Sequence, residues 1–294
     1  MSLYNRYLYS GISQAVVFLS NFIAIPIIIS NTNENNYGQY VLLIAYLGIL
    51  TTLSPLGLGF KAKRFLPSRE NIKERTIIFS PQFYSHFALT LIFSFIFIYF
   101  LKFFDEFIFG SNFKIADWVI VFYAIIFAFY SQILLIFKYT QNINKFNIIV
   151  ASVPVTFLIL VAYLSIKEIF LNVELIIILH IVSLLISSLI FLRPAFKIVR
   201  LSFSFYKKSD LLWDFRYGLP ILATAILEII INISDRFIIA AFMNPKDVAY
   251  YSVAFTICSL LLIFPRLFSI SLEPRLMFLK DKMEFNLIRK TVED

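Results

Sequence analysis

Residues 174–192 read ELIIILHIVSLLISSLIFL, a run that contains one carboxylate and neither lysine nor arginine. As a helix, about 20 mostly apolar residues are long enough to cross roughly 30 Å of hydrocarbon. The rest of the chain has the same character: of its 294 residues, 60% are hydrophobic and 15% are charged, against about half and a quarter in soluble domains. The composition predicts an all-α polytopic membrane protein, and it excludes a soluble enzyme, a disordered chain and a disulfide scaffold.

Eight apolar runs of sufficient length follow one another, at residues 8–30, 38–60, 77–101, 117–137, 148–166, 174–192, 217–243 and 248–272. The distribution of lysine and arginine between the connecting segments predicts how these spans are oriented in the membrane. With the N-terminus in the cytoplasm, the inside segments hold 20 of the 26 lysines and arginines and the outside loops hold four. Cytoplasmic loops carry such an excess. The formal charge of +8 is therefore explained by orientation in the membrane, and no nucleic-acid partner is expected.

Two pairs of spans resemble each other, which predicts an internal repeat. The starts of the second and eighth spans, residues 36–43 and 247–254, are similar, and so are residues 9–12 and 216–219 at the starts of the first and seventh. Six spans separate the copies, so the two units would be parallel. The predicted organisation is a six-helix bundle (1–192), a cytoplasmic linker (193–216), the first two helices of a second bundle (217–272) and a cytoplasmic tail (273–294). We expect a fragment of a twelve-span or larger transporter.

The seventh span carries an unusual set of polar residues. Glu228, Asn232 and Asp235 are spaced so that they share one helix face, and Arg236 follows directly. Ionisable groups inside a span are costly and tend to mark function. Glu228 is expected near mid-membrane, facing a hydrated cavity. Asp235 and Arg236 fit either a cavity lining or a snorkelling position at the outer interface.

The first span offers a matching polar face, because Gln14 and Asn21 are seven residues apart. The repeat places Asn21 opposite Glu228, so the first helices of both halves would line one cavity. Arg266, near the cytoplasmic end of the eighth span, either belongs to the inside charge or meets an anionic headgroup. These seven residues are the predicted substrate-binding set.

Motifs of enzymes are absent from the sequence, which contains neither a phosphate-binding glycine-rich loop nor a paired-histidine zinc motif. Cys258 is the only cysteine, and His86 and His180 lie in different apolar runs. We therefore expect no enzymatic activity, no catalytic or metal-binding residues and no cofactor, with coupling to a proton or cation gradient as the possible energy source.

Several short motifs resemble those of the polysaccharide flippases of the Wzx type, in the multidrug/oligosaccharidyl-lipid/polysaccharide exporter superfamily. They comprise Gln14 and Asn21, then Tyr37-Gly38-Gln39-Tyr40, Tyr217-Gly218-Leu219-Pro220, Ser234-Asp235-Arg236-Phe237 and Ala249-Tyr250-Tyr251-Ser252-Val253. The resemblance implies a MATE-like architecture, with two six-helix bundles around a cavity and alternating access.

The same resemblance implies a substrate and a setting. The substrate would be an oligosaccharide repeat unit on undecaprenyl pyrophosphate, moved across the bacterial cytoplasmic membrane for O-antigen, capsule or exopolysaccharide synthesis. Membrane lipids, a polysaccharide polymerase and chain-length proteins would be its partners. Three alternatives stay open: a drug or metabolite exporter of the same superfamily, a membrane-embedded polymerase or glycosyltransferase, and an inactive gene remnant.

Overall fold

The computed structural model describes residues 3–110, 113–203 and 207–281. Within these ranges every element of regular secondary structure is a helix, which confirms the all-α prediction for the described part of the chain. The α-helices are α1 (Leu3–Asn31), α2 (Glu34–Leu53), α3 (Phe60–Phe65), α4 (Ile72–Phe109), α5 (Asp117–Tyr139), α6 (Ile143–Ile166), α7 (Val173–Phe196), α8 (Lys208–Phe242), α9 (Pro245–Cys258) and α10 (Ile263–Asp281). Short 3₁₀ segments cover Leu66–Ser68 and Ser259–Leu262.

Five of these helices are long and apolar enough to cross a membrane, judged by length and composition. They are α1 from Leu8, α4 as far as Asp105, and the whole of α5, α6 and α7. The predicted spans that correspond to α2, α8 and α9 are not in this group. The total of eight spans therefore stays a prediction.

One end of the bundle holds the short turns that join α1 to α2 and α8 to α9. Here Asn33 and Asn244 cap α2 and α9, and their side chains accept hydrogen bonds from the backbone N–H groups of Asn36 (2.7 Å) and Asp247 (3.2 Å). Such caps satisfy donors that a helix start leaves free. The C-terminal ends of α1 and α4 lie at the same end, which we call the Asn33 end.

The predicted spans 38–60 and 248–272 are each interrupted. The α2 helix stops at Leu53, before Pro55, and the turn that follows contains Gly57 and Gly59 with φ angles of +73° and +95°. These angles are accessible to glycine at little cost, and they end the helix. The α9 helix stops at Cys258, and a 3₁₀ segment joins it to α10. Hydropathy cannot detect either break because the residues remain apolar.

Two glycines, Gly38 of α2 and Gly218 of α8, allow unusually close contacts with neighbouring backbone. A Cβ atom placed on Gly38 of α2 would lie 1.7 Å from the carbonyl oxygen of Pro245 at the start of α9. A Cβ atom on Gly218 of α8 would lie 2.1 Å from the carbonyl oxygen of Gly57. The first contact lies at the Asn33 end and the second at the opposite end, called the Gly57 end. Together they fix α8 and α9 against α2.

The core of the bundle is formed by α2, α4, α5, α6 and α7. Fully buried apolar side chains include Leu42, Leu47, Ile120, Ile133 and Ile177. A polar network crosses this core, in which the Gln82 amide donates to Gln132 (2.7 Å) and the Gln132 amide contacts His86. Buried polar groups need such partners because an unpaired one costs about 1–3 kcal/mol.

Charged groups at the Gly57 end tie the later helices to the core. Glu273 of α10 accepts hydrogen bonds from Lys138 and Tyr139 at the end of α5, both at 2.6 Å. Lys61 of α3 forms an ion pair with Asp210 of α8 at 2.6 Å, and its backbone N–H donates to Asp214 at 2.6 Å. The attachment of α8 and α10 to the bundle is therefore partly electrostatic.

We expect Gly218→Ala to destabilise the protein, because the added methyl group collides with the backbone of Gly57. Forcing an atom into a closed contact of this kind costs about 1–3 kcal/mol. The thermal midpoint in detergent should fall for Gly218→Ala. It should be unchanged for Gly11→Ala, where the new Cβ would lie 3.9 Å from the nearest side-chain atom. Equal midpoints for the two variants would contradict the close contact.

The Glu273 contacts should be lost in acid. Burial acts to raise the pKa of Glu273, but Lys138, Tyr139 and Lys63 outweigh it, so the pKa lies below its ordinary value of 4.5. A lowered pKa in the folded protein stabilises it above the unfolded pKa, and the stabilisation disappears as pH falls through the folded value. Wild type should therefore melt at a higher temperature than Glu273→Gln at pH 7.

The difference between these two proteins should shrink to zero as the pH falls below 4.5. Glu70→Gln is the matched control, because Glu70 is an exposed carboxylate at the same end. A difference between wild type and Glu273→Gln that is independent of pH would show that the Glu273 carboxylate does not hold α10 through its charge.

Candidate functional site

A cavity of about 520 Å³ opens between α1, α2, α6, α8 and α9 toward the Asn33 end. Its volume lies in the usual range of ligand sites, about 300–1,000 Å³. Three of the residues predicted from the sequence line it: Gln14, Asn21 and Arg236. The remaining lining residues are Val17, Phe18, Ala24, Ile25, Ile28, Tyr37, Tyr40, Ile44, Phe157, Phe255, Thr256 and Ser259. We call this space the Arg236 cavity.

The polar wall on α1 follows from helical spacing. Gln14 and Asn21 are two turns apart and therefore share a face. Gln14 is buried, whereas Asn21 is exposed. The α1 helix is held against α6 by Asn147. Its backbone carbonyl accepts a hydrogen bond from the Ser13 hydroxyl (2.8 Å), and its side-chain amide donates one to the Ser10 hydroxyl (2.9 Å). The face with the two amides is thus directed toward α2 and α8.

Arg236 supplies the cationic group of the cavity. Its guanidinium carbon lies 5.0 Å from the centre of the Phe255 ring on α9, a cation–π contact. Its Nε atom is buried and has no hydrogen-bond acceptor among the described residues. The ion pairs of the described residues also leave Arg236 out. An anionic ligand would therefore meet a guanidinium group that has no ion-pair partner in the described part of the chain.

Asp235 is adjacent to Arg236 in sequence, but its carboxylate contacts α9 and not the cavity. Its carboxylate accepts a hydrogen bond from the Tyr251 hydroxyl of α9 and another from the backbone N–H of Arg236 at 2.8 Å. Asp235 does not line the Arg236 cavity. It helps to fasten α8 to α9 and so positions the arginine that follows it.

The other predicted residues lie outside the Arg236 cavity. Glu228 is exposed on α8, and the Asn232 amide donates to the Glu228 backbone carbonyl at 2.7 Å. The Glu228 face of α8 also exposes Leu227 and Ile231. The backbone of Arg266 lies in α10, but its side chain lies outside the described residues. The structure therefore brings together Gln14, Asn21 and Arg236 and separates Glu228 and Asn232 from them.

The aromatic part of the cavity was not identified from the sequence as a binding feature. Tyr37 and Tyr40 come from α2, and the Tyr40 ring stacks on Phe157 of α6 with 6.4 Å between ring centres. Both tyrosines lie in the Tyr37–Tyr40 motif, which belongs to the predicted repeat and to the flippase resemblance but not to the predicted substrate-binding set. Their spacing of nearly one helical turn was the available signal that they share a face.

Among residues 3–110, 113–203 and 207–281, no group of three or more His, Cys, Asp or Glu residues is arranged to hold a metal ion. His86 is buried beside Gln132, and His180 packs between the rings of Tyr123 and Phe157. His86 is thus hydrogen-bonded in the helix bundle, whereas His180 makes ring contacts and its buried Nδ1 has no hydrogen-bond partner among the described residues.

A protein-family model described as "Polysaccharide biosynthesis protein" matches residues 4–276 of the chain. The match includes every helix that lines the Arg236 cavity. No curated protein and no solved structure matches the chain. The family description and the five apolar helices together fit a multi-pass membrane protein with a role in polysaccharide synthesis or transport.

If the Arg236 cavity is hydrated, a cysteine placed in it should react with a water-soluble maleimide. In a Cys258→Ser background, Asn21→Cys in membranes should react about tenfold faster or more than Ile92→Cys, because thiols react as thiolates, which form in water. Ile92 is exposed on α4, away from the cavity, and is expected to face lipid. Equally slow labelling at both positions would mean that the cavity is closed to water.

Proposed function

This chain belongs to the polysaccharide biosynthesis protein family, and we propose that it is a flippase for lipid-linked oligosaccharides. It would move undecaprenyl-pyrophosphate-linked repeat units across the bacterial cytoplasmic membrane by alternating access, for O-antigen, capsule or exopolysaccharide synthesis. The family match supports a role in polysaccharide synthesis or transport. The substrate and the mechanism are what the resemblance to the flippases implies, and the lining of the Arg236 cavity supports them.

The observation that carries the proposal is the Arg236 side chain in a cavity of about 520 Å³. A pyrophosphate group crossing the membrane must leave water, and moving an unpaired charge into hydrocarbon is very costly. An arginine offers five N–H donors in a planar fork that matches phosphate oxygens. Arg236 can therefore compensate the headgroup charge while the polyprenyl tail stays in the lipid.

The rest of the lining suits a sugar chain. Gln14 and Asn21 each provide two amide donors and an acceptor carbonyl, which suit sugar hydroxyl groups. Tyr37, Tyr40 and Phe255 add aromatic surface beside these polar groups. The combination favours an anionic, hydroxyl-rich ligand over a cationic drug, because a cation would be repelled by Arg236. It also favours transport over catalysis, since the lining lacks a nucleophile with a base beside it.

We propose that the exposed Glu228 face of α8 meets a second helix bundle and not lipid. An ionised carboxylate facing hydrocarbon is unfavourable, and Glu228 is exposed among apolar neighbours. Two pairs of helices support the two-bundle arrangement: α1 with α2, and α8 with α9, are each joined by a short turn that ends in an asparagine cap. In this arrangement Glu228 is the better candidate than Asp235 for a coupling proton.

The orientation follows from the same proposal. The Gly57 end would face the cytoplasm, because it holds Lys61, Lys63, Arg64 and Lys138. The Arg236 cavity would then be the outer chamber, directed toward the periplasmic leaflet. A polysaccharide polymerase and chain-length proteins would be the downstream partners on that side.

We expect Arg236→Gln to slow the movement of a polyprenyl-pyrophosphate-linked oligosaccharide between the leaflets of reconstituted vesicles. A lectin added outside reads the fraction of sugar exposed on the outer leaflet. Loss of a charge-assisted hydrogen bond removes about 1.5–3 kcal/mol, which corresponds to a rate roughly tenfold to hundredfold slower if the bond forms only in the rate-limiting state. Arg236→Lys should retain part of the rate.

Lys102→Gln is the matched control, since it removes one basic residue from an exposed pair with Asp117 (2.5 Å) outside the cavity. Its rate should equal that of wild type. The flippase proposal fails if wild-type vesicles expose no more sugar than protein-free vesicles. The role of Arg236 fails if Arg236→Gln and Lys102→Gln behave alike.

A further inference from the structure

A second, smaller cavity lies at the Gly57 end, between α2, α3 and α8. Its volume is about 250 Å³. Its lining includes Thr51, Thr52, Phe60, Lys63 and Gly218. The break in α2 creates this space, because the chain turns away at Ser54 and returns as α3. We call it the Lys63 pocket.

Lys63 differs from the other basic residues around it. Lys61 is paired with Asp210, Lys138 is paired with Glu273, and Arg64 donates to the Met277 carbonyl at 3.1 Å. Lys63 forms no ion pair within the described ranges. Its side chain is half-buried, and burial lowers the pKa of its ammonium group, with Glu273 acting in the opposite direction. The pocket is thus lined by a lysine that forms no ion pair, while the nearby Glu273 carboxylate is already paired with Lys138.

The size of the Lys63 pocket limits what it can bind. A volume of about 250 Å³ lies below the usual range of sites for drug-sized ligands, about 300–1,000 Å³. An oligosaccharide does not fit in such a space, whereas a phosphate or pyrophosphate group does. A lysine ammonium group binds phosphate as a point charge with three donors.

The Lys63 pocket and the Arg236 cavity lie along the same two helices. Thr51 and Thr52 line the first and Tyr37 and Tyr40 line the second, all from α2. On α8, Gly218 and Arg236 are 18 residues apart, about 27 Å along the axis. Between them α2 and α8 touch, because a Cβ atom on Gly48 would lie 4.0 Å from Ile233. The two spaces are therefore separate chambers at opposite ends of one groove.

We propose that the Lys63 pocket binds the phosphate-bearing headgroup of a lipid before that headgroup reaches the Arg236 cavity. This rests on the proposed function, in which the Gly57 end faces the cytoplasm and the substrate is a lipid pyrophosphate. The pocket holds only the headgroup, and the sugar and the polyprenyl tail stay outside it. Lys63 would be the first cation to meet the substrate and Arg236 the second.

A tryptophan next to the pocket allows a direct binding test. The chain has two tryptophans, so Trp118→Phe leaves Trp213 as the single reporter. Trp213 stacks on Phe60, which lines the pocket, with 5.9 Å between ring centres. Titration of the full chain in detergent with undecaprenyl pyrophosphate should give a saturable change in Trp213 fluorescence. Inorganic pyrophosphate and phosphatidylglycerol are the comparison ligands.

Lys63→Gln should weaken binding of undecaprenyl pyrophosphate at least about tenfold, as expected for the loss of a charge-assisted contact. Lys63→Arg should retain binding. Lys61→Gln is the control, because Lys61 is already paired with Asp210 and does not line the pocket. The thermal midpoint of each variant shows whether it is folded. Lys63→Gln with unchanged affinity, or a response to inorganic pyrophosphate alone, would overturn the proposal.

This test separates the inference from the proposed function. Binding that depends on Lys63, without any movement of lipid-linked oligosaccharide in vesicles, would refute the flippase activity and leave the headgroup site standing. Movement that depends on Arg236, with no effect of Lys63→Gln on binding, would refute the headgroup site and leave the flippase activity standing.

Discussion

The close approach of α2 to α8 and α9 is the constraint on which the rest of the structure depends. At Gly38 and at Gly57 the backbone of this part of the chain meets a neighbouring backbone so closely that a side chain on either residue would collide. Helices that touch through glycine come nearer to each other than leucine or phenylalanine would permit. Two such contacts, one near each end of α2, hold α9 (at Gly38) and α8 (at Gly57) close to this part of the chain. The Arg236 cavity and the Lys63 pocket are the spaces that remain along that contact.

The position of Arg236 depends on this packing and on the different contacts that Asp235 and Arg236 make. The Asp235 carboxylate accepts hydrogen bonds from Tyr251 and from the backbone N–H of Arg236, and it forms no ion pair with the guanidinium group. The guanidinium group is placed against Phe255 instead, where the ring attracts the cation without cancelling its charge. A cation held by an aromatic ring remains available to an anion. This is the physical reason to expect an anionic ligand in the Arg236 cavity and a structural role for Asp235.

The helical class of the protein could be predicted from composition, and five of the apolar runs appear as helices of spanning length. Gln14 and Asn21 could be selected as a pair because helical spacing is local information. The meeting of Asn21 with Arg236 joins residues more than 200 positions apart, and it depends on how α1 packs against α6. Glu228 was expected on the same cavity, but its direction depends on the rotation of α8, which the Gly57 contact determines. The break at Ser54, which forms the Lys63 pocket, needs positive φ angles that hydropathy does not report.

The separation of the two cations gives a physical reason for two chambers in place of one open channel. A headgroup anion that crossed about 30 Å of hydrocarbon past a single central cation would have long stretches of its path without a partner. With Lys63 near one end of α2 and Arg236 near the other, each half of the path has its own counter-charge. The close approach of α2 and α8 at Gly48 and Ile233 lies between them. In the proposed flippase, the anion would have to pass this close approach between the first cation and the second.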